Sequence, residues 1–154
     1  MRKLVLVVPL LLNTPIALAQ SQLSPERLEQ LAVAFIDAKN ARQQPDADAD
    51  AIERFLALIA DEFTDEHIKF GVTVTDKAEL RAGMTGKLAD EVIYSRIEID
   101  QIMTGHNVVF VKYTESAKVK PVHLDDVVEY TSTTIVSLEF DEQGLIRHIR
   151  RHHQ

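Results

Sequence analysis

Apolar residues in the first part of the chain recur with the period of an α-helix. Ser24 and Pro25 suit a helix start, because serine can cap free backbone N–H groups and proline has none to satisfy. The first apolar stripe that follows consists of Leu28, Leu31, Ala32, Phe35 and Ile36. Residues 43–49 form a connector in which Asp46 or Asp48 can cap a second helix. That helix is predicted from a second stripe of Ile52, Phe55, Leu56, Ile59 and Phe63.

A short third helix is predicted after a segment with the composition of β-strands. Residues 67–75 are rich in β-branched side chains, which predicts short strands. Asp76 and Glu79 then have the spacing of a reciprocal N-terminal cap. The predicted buried line of this helix is Leu80, Met84 and Leu88.

After Asp90 the hydrophobic period changes from 3.6 to 2, which indicates strands. Four long strands are predicted, at Val92–Met103, Val108–Thr114, Val127–Phe140 and Leu145–Arg151. The last two are joined by a hairpin with Gly144 in its turn. The order of elements predicts an α+β domain in which three N-terminal helices cover one face of an antiparallel sheet.

The alternation also predicts which strand residues face the helices. On the first long strand these are Ile93, Ser95, Ile97 and Ile99, and on the second they are Val109, Val111 and Tyr113. On the third strand the inward set is Val128, Tyr130, Ser132, Thr134, Val136, Leu138 and Phe140. The predicted interior is therefore mostly aliphatic, with a few hydroxyl groups.

The first nineteen residues have the organisation of a secretory signal peptide. Arg2 and Lys3 precede an apolar run at Leu4–Leu12, and Ala17–Ala19 supplies small residues for cleavage before Gln20. The run is far shorter than the roughly 20 residues needed to span a bilayer. We expect one domain at 20–154, exported to a bacterial periplasm or secreted, with no membrane insertion after cleavage.

Composition removes several classes of function. Cleavage would leave 15 basic and 24 acidic residues, a formal charge of −9, so the chain lacks the cationic excess that nucleic-acid binding needs. The chain contains no cysteine, which excludes disulfides, thiolate metal sites and thiol nucleophiles. The basic and histidine residues at 147–153 do not predict a metal site, because strand residues four apart lie about 13 Å apart. We expect no metal and no cofactor.

Three segments resemble the nuclear transport factor 2-like superfamily, and in particular its SnoaL-like domains. They are Phe63–His67, Thr75–Ala82 and Phe140–Arg147, which are similar to the entry to the first strand, the entry to the third helix and the last hairpin. The resemblance implies a cone-shaped curved sheet, an α+β barrel, with a pocket at its open end and a homodimer formed through the outer sheet face. Members include ketosteroid isomerase, scytalone dehydratase, limonene epoxide hydrolase and polyketide cyclases, as well as non-catalytic binding domains.

The inward hydroxyl groups are the candidate ligand-binding residues: Ser95, Tyr113, Tyr130, Ser132 and Thr134. Such a lining suits a small hydrophobic molecule with one or two polar groups. The primary hypothesis is therefore an exported small-molecule-binding domain with a hydrophobic pocket.

A lyase or isomerase that uses acid–base chemistry is the alternative, so whether the protein is an enzyme stays open. Acid–base chemistry needs a titratable group in the pocket, and no acid falls at a clearly inward strand position. The candidates are His67 on the first strand, Asp65 near the rim and His148 on the last strand, with a tyrosine hydroxyl as electrophile. His148 faces inward only if Ile146 does.

Overall fold

The structure is a computed structural model that describes residues 21–153. The predicted signal peptide at 1–19 lies outside these residues. The helices are α1 Pro25–Ala41, α2 Ala49–Leu56 and α3 Lys77–Lys87. The strands are β1 Ile59–His67, β2 Val72–Val74, β3 Glu91–Thr104, β4 Val108–Lys120, β5 Val128–Phe140 and β6 Ile146–His153, with a 3-10 turn at Ile68–Phe70. In the described part, no helix is long and apolar enough to cross a membrane.

Each helix begins at a side-chain cap that the sequence predicted. The Ser24 hydroxyl accepts a hydrogen bond from the backbone N–H of Arg27, at 3.2 Å. Of the two candidate caps for α2, Asp48 is the one used, and its carboxylate accepts from the N–H of Ala51. Asp76 caps α3 in the same way. Such caps satisfy N–H groups that have no partner within the helix.

The second helix is shorter than predicted, because Ile59 and Phe63 belong to β1 and not to α2. A spacing of four residues places two side chains on one face of a helix and also on one face of a strand. Backbone pairing decides between the two. Ile59 pairs with Ile146 of β6, and the N–H of Ile146 donates to the carbonyl oxygen of Leu58 at 2.9 Å.

The six strands form one curved sheet in the order β2-β1-β6-β5-β4-β3. The four long strands β3 to β6 pair antiparallel, as predicted, whereas β1 and β6 pair parallel. The sheet is not closed, since β2 and β3 are its edges within residues 21–153. The architecture is α+β, with three helices packed on the concave side of a cone-like sheet.

The core lies between α1, α2 and the inner face of the long strands. Phe35 and Phe55 contact each other there, with ring centroids 5.3 Å apart. The alternation predicted for β4 and the end of β5 is confirmed, since Val109, Val111, Tyr113, Thr134, Val136, Leu138 and Phe140 are all buried.

The alternation predicted for the start of β3 is wrong at Ile93, which is 46% exposed. Val92 pairs with Val119 and Tyr94 with Lys118, so Ile93 is the extra residue of a β-bulge. A bulge leaves one residue unpaired and changes the face to which neighbouring side chains point. From Ser95 to Ile99 the predicted parity holds, and these odd-numbered residues are partly buried.

Candidate ligand-binding site

A cavity of about 770 Å³ lies between α3, the C-terminal end of α1 and the inner face of the sheet. We call it the main cavity. Four of the five hydroxyl residues predicted to bind a ligand line it: Tyr113, Tyr130, Ser132 and Thr134. The fifth, Ser95, lines a neighbouring cavity of about 260 Å³, which we call the annex.

One side of the main cavity is mostly apolar. Its apolar residues come from β2 and α3, and α3 also contributes the charged residues Glu79 and Lys87. The apolar residues are Val74, Leu80, Ala82, Gly83 and Met84. Met84 is buried, and Leu80 is partly buried against the core. Leu88, the last residue of the predicted buried line, is also only partly buried and lies at the C-terminal cap of α3.

The opposite side carries a buried network centred on Glu115 of β4. The ammonium of Lys39 donates to one carboxylate oxygen at 2.5 Å, while the Tyr130 hydroxyl and the Gln43 amide donate to the other at 2.7 and 3.1 Å. Burial lowers the pKa of Lys39 to about 8, although Glu115 acts in the opposite direction. Burial would raise the pKa of Glu115, but the charge of Lys39 and the hydrogen bonds from Lys39, Tyr130 and Gln43 together outweigh it and lower that pKa.

A second polar group joins β1 and β6. Asp65 and Arg151 form a buried ion pair, with 1% and 5% of each residue exposed. The guanidinium Nη1 of Arg151 also donates to Nε2 of His67 at 3.2 Å, which places the His67 proton on Nδ1. Burial and the nearby charge of His153 lower the pKa of His67, so this imidazole is neutral near pH 7. His67 stacks on His153, with centroids 5.7 Å apart.

The expectation that no acid faces inward is wrong. Glu115 is buried on the same face of β4 as Val111 and Tyr113. Its position two residues after Tyr113 is the feature of the sequence from which this inward orientation could have been predicted. Asp65 is buried and not at the rim, because β1 begins at Ile59, eight residues before the position where a first strand was predicted.

The basic residues contributed by α1 were not predicted at all. Lys39 lies on the same helix face as Leu28 and Phe35, and it is only 6% exposed. Arg42, at the C-terminal cap of α1, places its guanidinium 4.8 Å from the ring centroid of Phe55. Extending the apolar stripe of α1 by one helical turn leads to Lys39. A lysine at that position normally indicates that the buried part of the helix has ended.

His148 does not join the other candidates. Its Nε2 lies 2.6 Å from the carboxylate of Glu66, and its Nδ1 lies 3.6 Å from that of Glu139. The pairing of β5 with β6 shifts by one residue between Ile146 and Ile149, and both of these residues are buried. His148 lies between them in the sequence and lines a separate groove of about 440 Å³. Within residues 21–153, no three histidine, aspartate or glutamate side chains are grouped to hold a metal ion.

No known family profile and no curated protein matches the sequence. Solved structures do match. A protein of Shewanella denitrificans OS-217 designated a SnoaL-like polyketide cyclase is 11% identical, with 85% of this chain and 92% of that chain covered and a TM-score of 0.68. An LEH-like epoxide hydrolase of Mycobacterium tuberculosis is 13% identical, with 84% of each chain covered and a TM-score of 0.63.

A third structure is an NTF2-like protein of unknown function from Burkholderia pseudomallei K96243. It is 14% identical, with 83% of this chain and 91% of that chain covered, and its TM-score is 0.63. The chain has the nuclear transport factor 2-like fold, and SnoaL-like proteins are among the structures that share it. The resemblance noted in the sequence is therefore confirmed at the level of the fold. Proteins with this fold have different activities, so function must be argued from the site.

Proposed function

We propose that the protein is an exported domain that binds a small amphipathic molecule in the main cavity. The observation that carries the proposal is the mixed lining of the cavity, in which apolar residues of α3 and β2 face polar residues of α1 and the sheet. Ligand pockets typically have several hundred Å³ of space, with apolar lining and a few placed polar groups. A volume of about 770 Å³ falls in that range.

The polar residues of the lining offer both donors and acceptors to a ligand. Thr134 and Ser132 present hydroxyl groups, and the hydrogen bond between Thr134 and His153 is long, at 3.4 Å. Asp65 Oδ2 and His153 Nε2 are buried without a hydrogen-bond partner. Leaving buried polar atoms unpaired costs about 1–3 kcal/mol each, a cost that a ligand with matching polar groups would reduce.

The acid–base alternative has less support. Arg151 binds Asp65 and donates to the Nε2 lone pair of His67, so the two candidate bases in the cavity are already engaged. His148 lies in a different groove. A binding role requires none of these groups to accept a proton from a ligand.

The proposal is tested by filling the main cavity from α3. Gly83 lines the cavity, and a Cβ added there meets no atom within 4 Å, so Gly83→Leu should place its side chain in the ligand's space. The probe is N-phenyl-1-naphthylamine, a neutral dye that fluoresces in apolar pockets. We expect saturable binding to the wild type and about tenfold weaker binding to Gly83→Leu, the loss of one or two kcal/mol of apolar contact.

Gly86→Leu is the matched control, because Gly86 lies on the same helix, also has open space around it and is outside the cavity lining. Its dye affinity should equal that of the wild type. Equal affinities for all three proteins, or no binding at all, would contradict the proposal.

Export is the part of the proposal that rests on the N-terminal sequence alone. The charged start, short apolar run and small residues before Gln20 support cleavage by a signal peptidase. N-terminal sequencing of the protein from a periplasmic extract should begin at Gln20. A product that begins at Met1 and is found only in the cytoplasmic fraction would argue against export.

A homodimer formed through the outer sheet face is also proposed. Met103 and Phe110 are paired residues of β3 and β4 on that face, and they are 53% and 40% exposed. Two adjacent apolar side chains support a self-complementary contact, although most of the face is polar. Sedimentation should give a dimer for the wild type and a monomer for Phe110→Lys; a monomeric wild type would refute this contact.

A further inference from the structure

The annex lies beside the main cavity, and the two share a wall. Arg42, Lys87 and Tyr130 line both spaces. The other residues that line the annex come from β3, from β4 and from the segments that follow α1 and α3: Val92, Ser95, Ala117, Val119, Gln43 and Asp90. Its volume of about 260 Å³ exceeds the roughly 30 Å³ share of one water molecule several times over.

Two donors at the annex have no partner in the protein. Nε of Arg42 and Oγ of Ser95 are buried, and neither makes a hydrogen bond. Among the described carboxylates, none forms a salt bridge with the Arg42 guanidinium, which instead lies over the ring of Phe55. A guanidinium has only donors, so the buried Nε of Arg42 can be satisfied only by a group that accepts a hydrogen bond.

The acids near Arg42 are engaged elsewhere. Glu115 accepts hydrogen bonds from Lys39, Tyr130 and Gln43. Asp90 lies 3.6 Å from the Lys87 ammonium and accepts from the backbone N–H of Val122 at 2.9 Å. Arg42 therefore has no carboxylate within salt-bridge distance among the described residues, and Glu115, the acid whose charge acts on it, is paired with Lys39.

We propose that the annex binds the terminal oxyanion of the amphipathic ligand, a carboxylate or a phosphate, through Arg42 and Ser95. This inference rests on the proposed function, because the apolar part of the same ligand would occupy the main cavity. An oxyanion accepts from both free donors and balances the guanidinium charge. Lys87 lies at the boundary between the two spaces, but its ammonium is 3.6 Å from the carboxylate of Asp90, so the charge that attracts the oxyanion comes from Arg42.

The test compares ligands that share a chain and differ in their polar end. Decanoate, decyl phosphate and decan-1-ol are used to displace N-phenyl-1-naphthylamine from the folded protein. We expect at least one of the two anions to displace the dye from the wild type at about tenfold lower concentration than the alcohol, as one charge-assisted hydrogen bond would give. The preferred anion distinguishes a carboxylate ligand from a phosphate ligand.

In Arg42→Gln and in Ser95→Ala, the preference for the anion should fall at least severalfold. The affinity of each variant for the dye is measured separately, which corrects for any change in the main cavity. If Arg42→Gln does not fold, Ser95→Ala still tests the proposal. Arg54→Gln is the charge-matched control, since Arg54 is exposed on α2. It should keep the wild-type preference.

If the dye binds to the wild type and the alcohol and both anions displace it equally well, the annex proposal is wrong and the proposed function stands. A preference that both Arg42→Gln and Ser95→Ala retain would also overturn it, since the anion would then bind elsewhere. If the dye does not bind the wild type, the proposed function fails and the annex proposal fails with it.

Discussion

Lys39 is a charged residue on the buried face of α1, and its surroundings determine its protonation. Its ammonium lies 2.5 Å from Glu115 and 5.4 Å from the ring centroid of Tyr113. Burial disfavours the charged form more than Glu115 favours it, which lowers the pKa of Lys39 to about 8. The folded protein therefore gives up this proton at a lower pH than the unfolded chain does.

Replacing Lys39 by methionine should change how stability depends on pH. Between pH 8 and about 10.5 the unfolded chain keeps a proton that the folded protein has lost, so this group makes the wild type more stable as pH rises. Relative to Lys39→Met, the free energy of unfolding of the wild type should increase by about 2 kcal/mol between pH 7 and 9.5. Urea unfolding at both pH values measures it.

Lys120→Met removes an exposed lysine at the end of β4 and serves as the control. Its difference from the wild type should not change with pH. If the difference for Lys39→Met is also constant, the environment described for Lys39 is wrong.

The residues of the cavity differ in how far local sequence could predict them. Tyr113 and Thr134 follow from strand alternation, because apolar neighbours on the same strand fix the inward face. Glu115 has the same parity, but a charged side chain normally predicts exposure. Its burial depends on Lys39, which lies 76 residues away in the sequence, and no local pattern contains that pairing.

Helices and turns are the elements that local sequence predicted best. Their caps involve residues two or three positions apart, as at Ser24, Asp48 and Asp76. The end of α2 could not be predicted in this way, because Ile59 satisfies both the helix and the strand period. Its strand conformation comes from pairing with Ile146 near the other end of the domain.

The hairpin between β5 and β6 depends on Gly144, whose φ is +85°. A Cβ at this position would lie 3.1 Å from Cδ1 of Leu31, in a backbone conformation that L-residues disfavour. Gly144→Ala should lower the free energy of unfolding by about 1–2 kcal/mol. Urea unfolding at pH 7 measures the change.

Gly86→Ala provides the comparison within α3, where alanine favours the helix and nothing lies within 4 Å of the added Cβ. It should raise the free energy of unfolding by about 0.5–1 kcal/mol. The two glycine variants should therefore shift stability in opposite directions. A shift in the same direction would mean that backbone conformation does not control the turn.

The cavity is a property of the whole molecule. The curved sheet packs against α1 and α2, whose apolar side chains fill the core, and α3 covers a space that stays open. Hydrophobic period predicted the layers and the antiparallel order of β3 to β6. It could not predict an open space, because whether facing side chains meet depends on the curvature of the sheet and the position of α3.

The arrangement of the whole molecule also explains why the cavity differs from the mostly aliphatic one that strand alternation predicted. The lining residues predicted on β4 and β5 supply hydroxyl groups, whereas Lys39 and Arg42 enter from α1 and Arg151 enters from β6. Three elements distant in sequence converge there. Their convergence makes the site amphipathic and supports a ligand with one polar end.

The most direct test of ligand binding in the main cavity is an amide-resolved NMR titration of the 20–154 protein with N-phenyl-1-naphthylamine. Shift changes should concentrate on Lys77–Lys87 and around Tyr113 and Thr134, and residues of the outer sheet face such as Arg96 should not move. Saturable changes confined to the outer face, or no changes at all, would contradict the account.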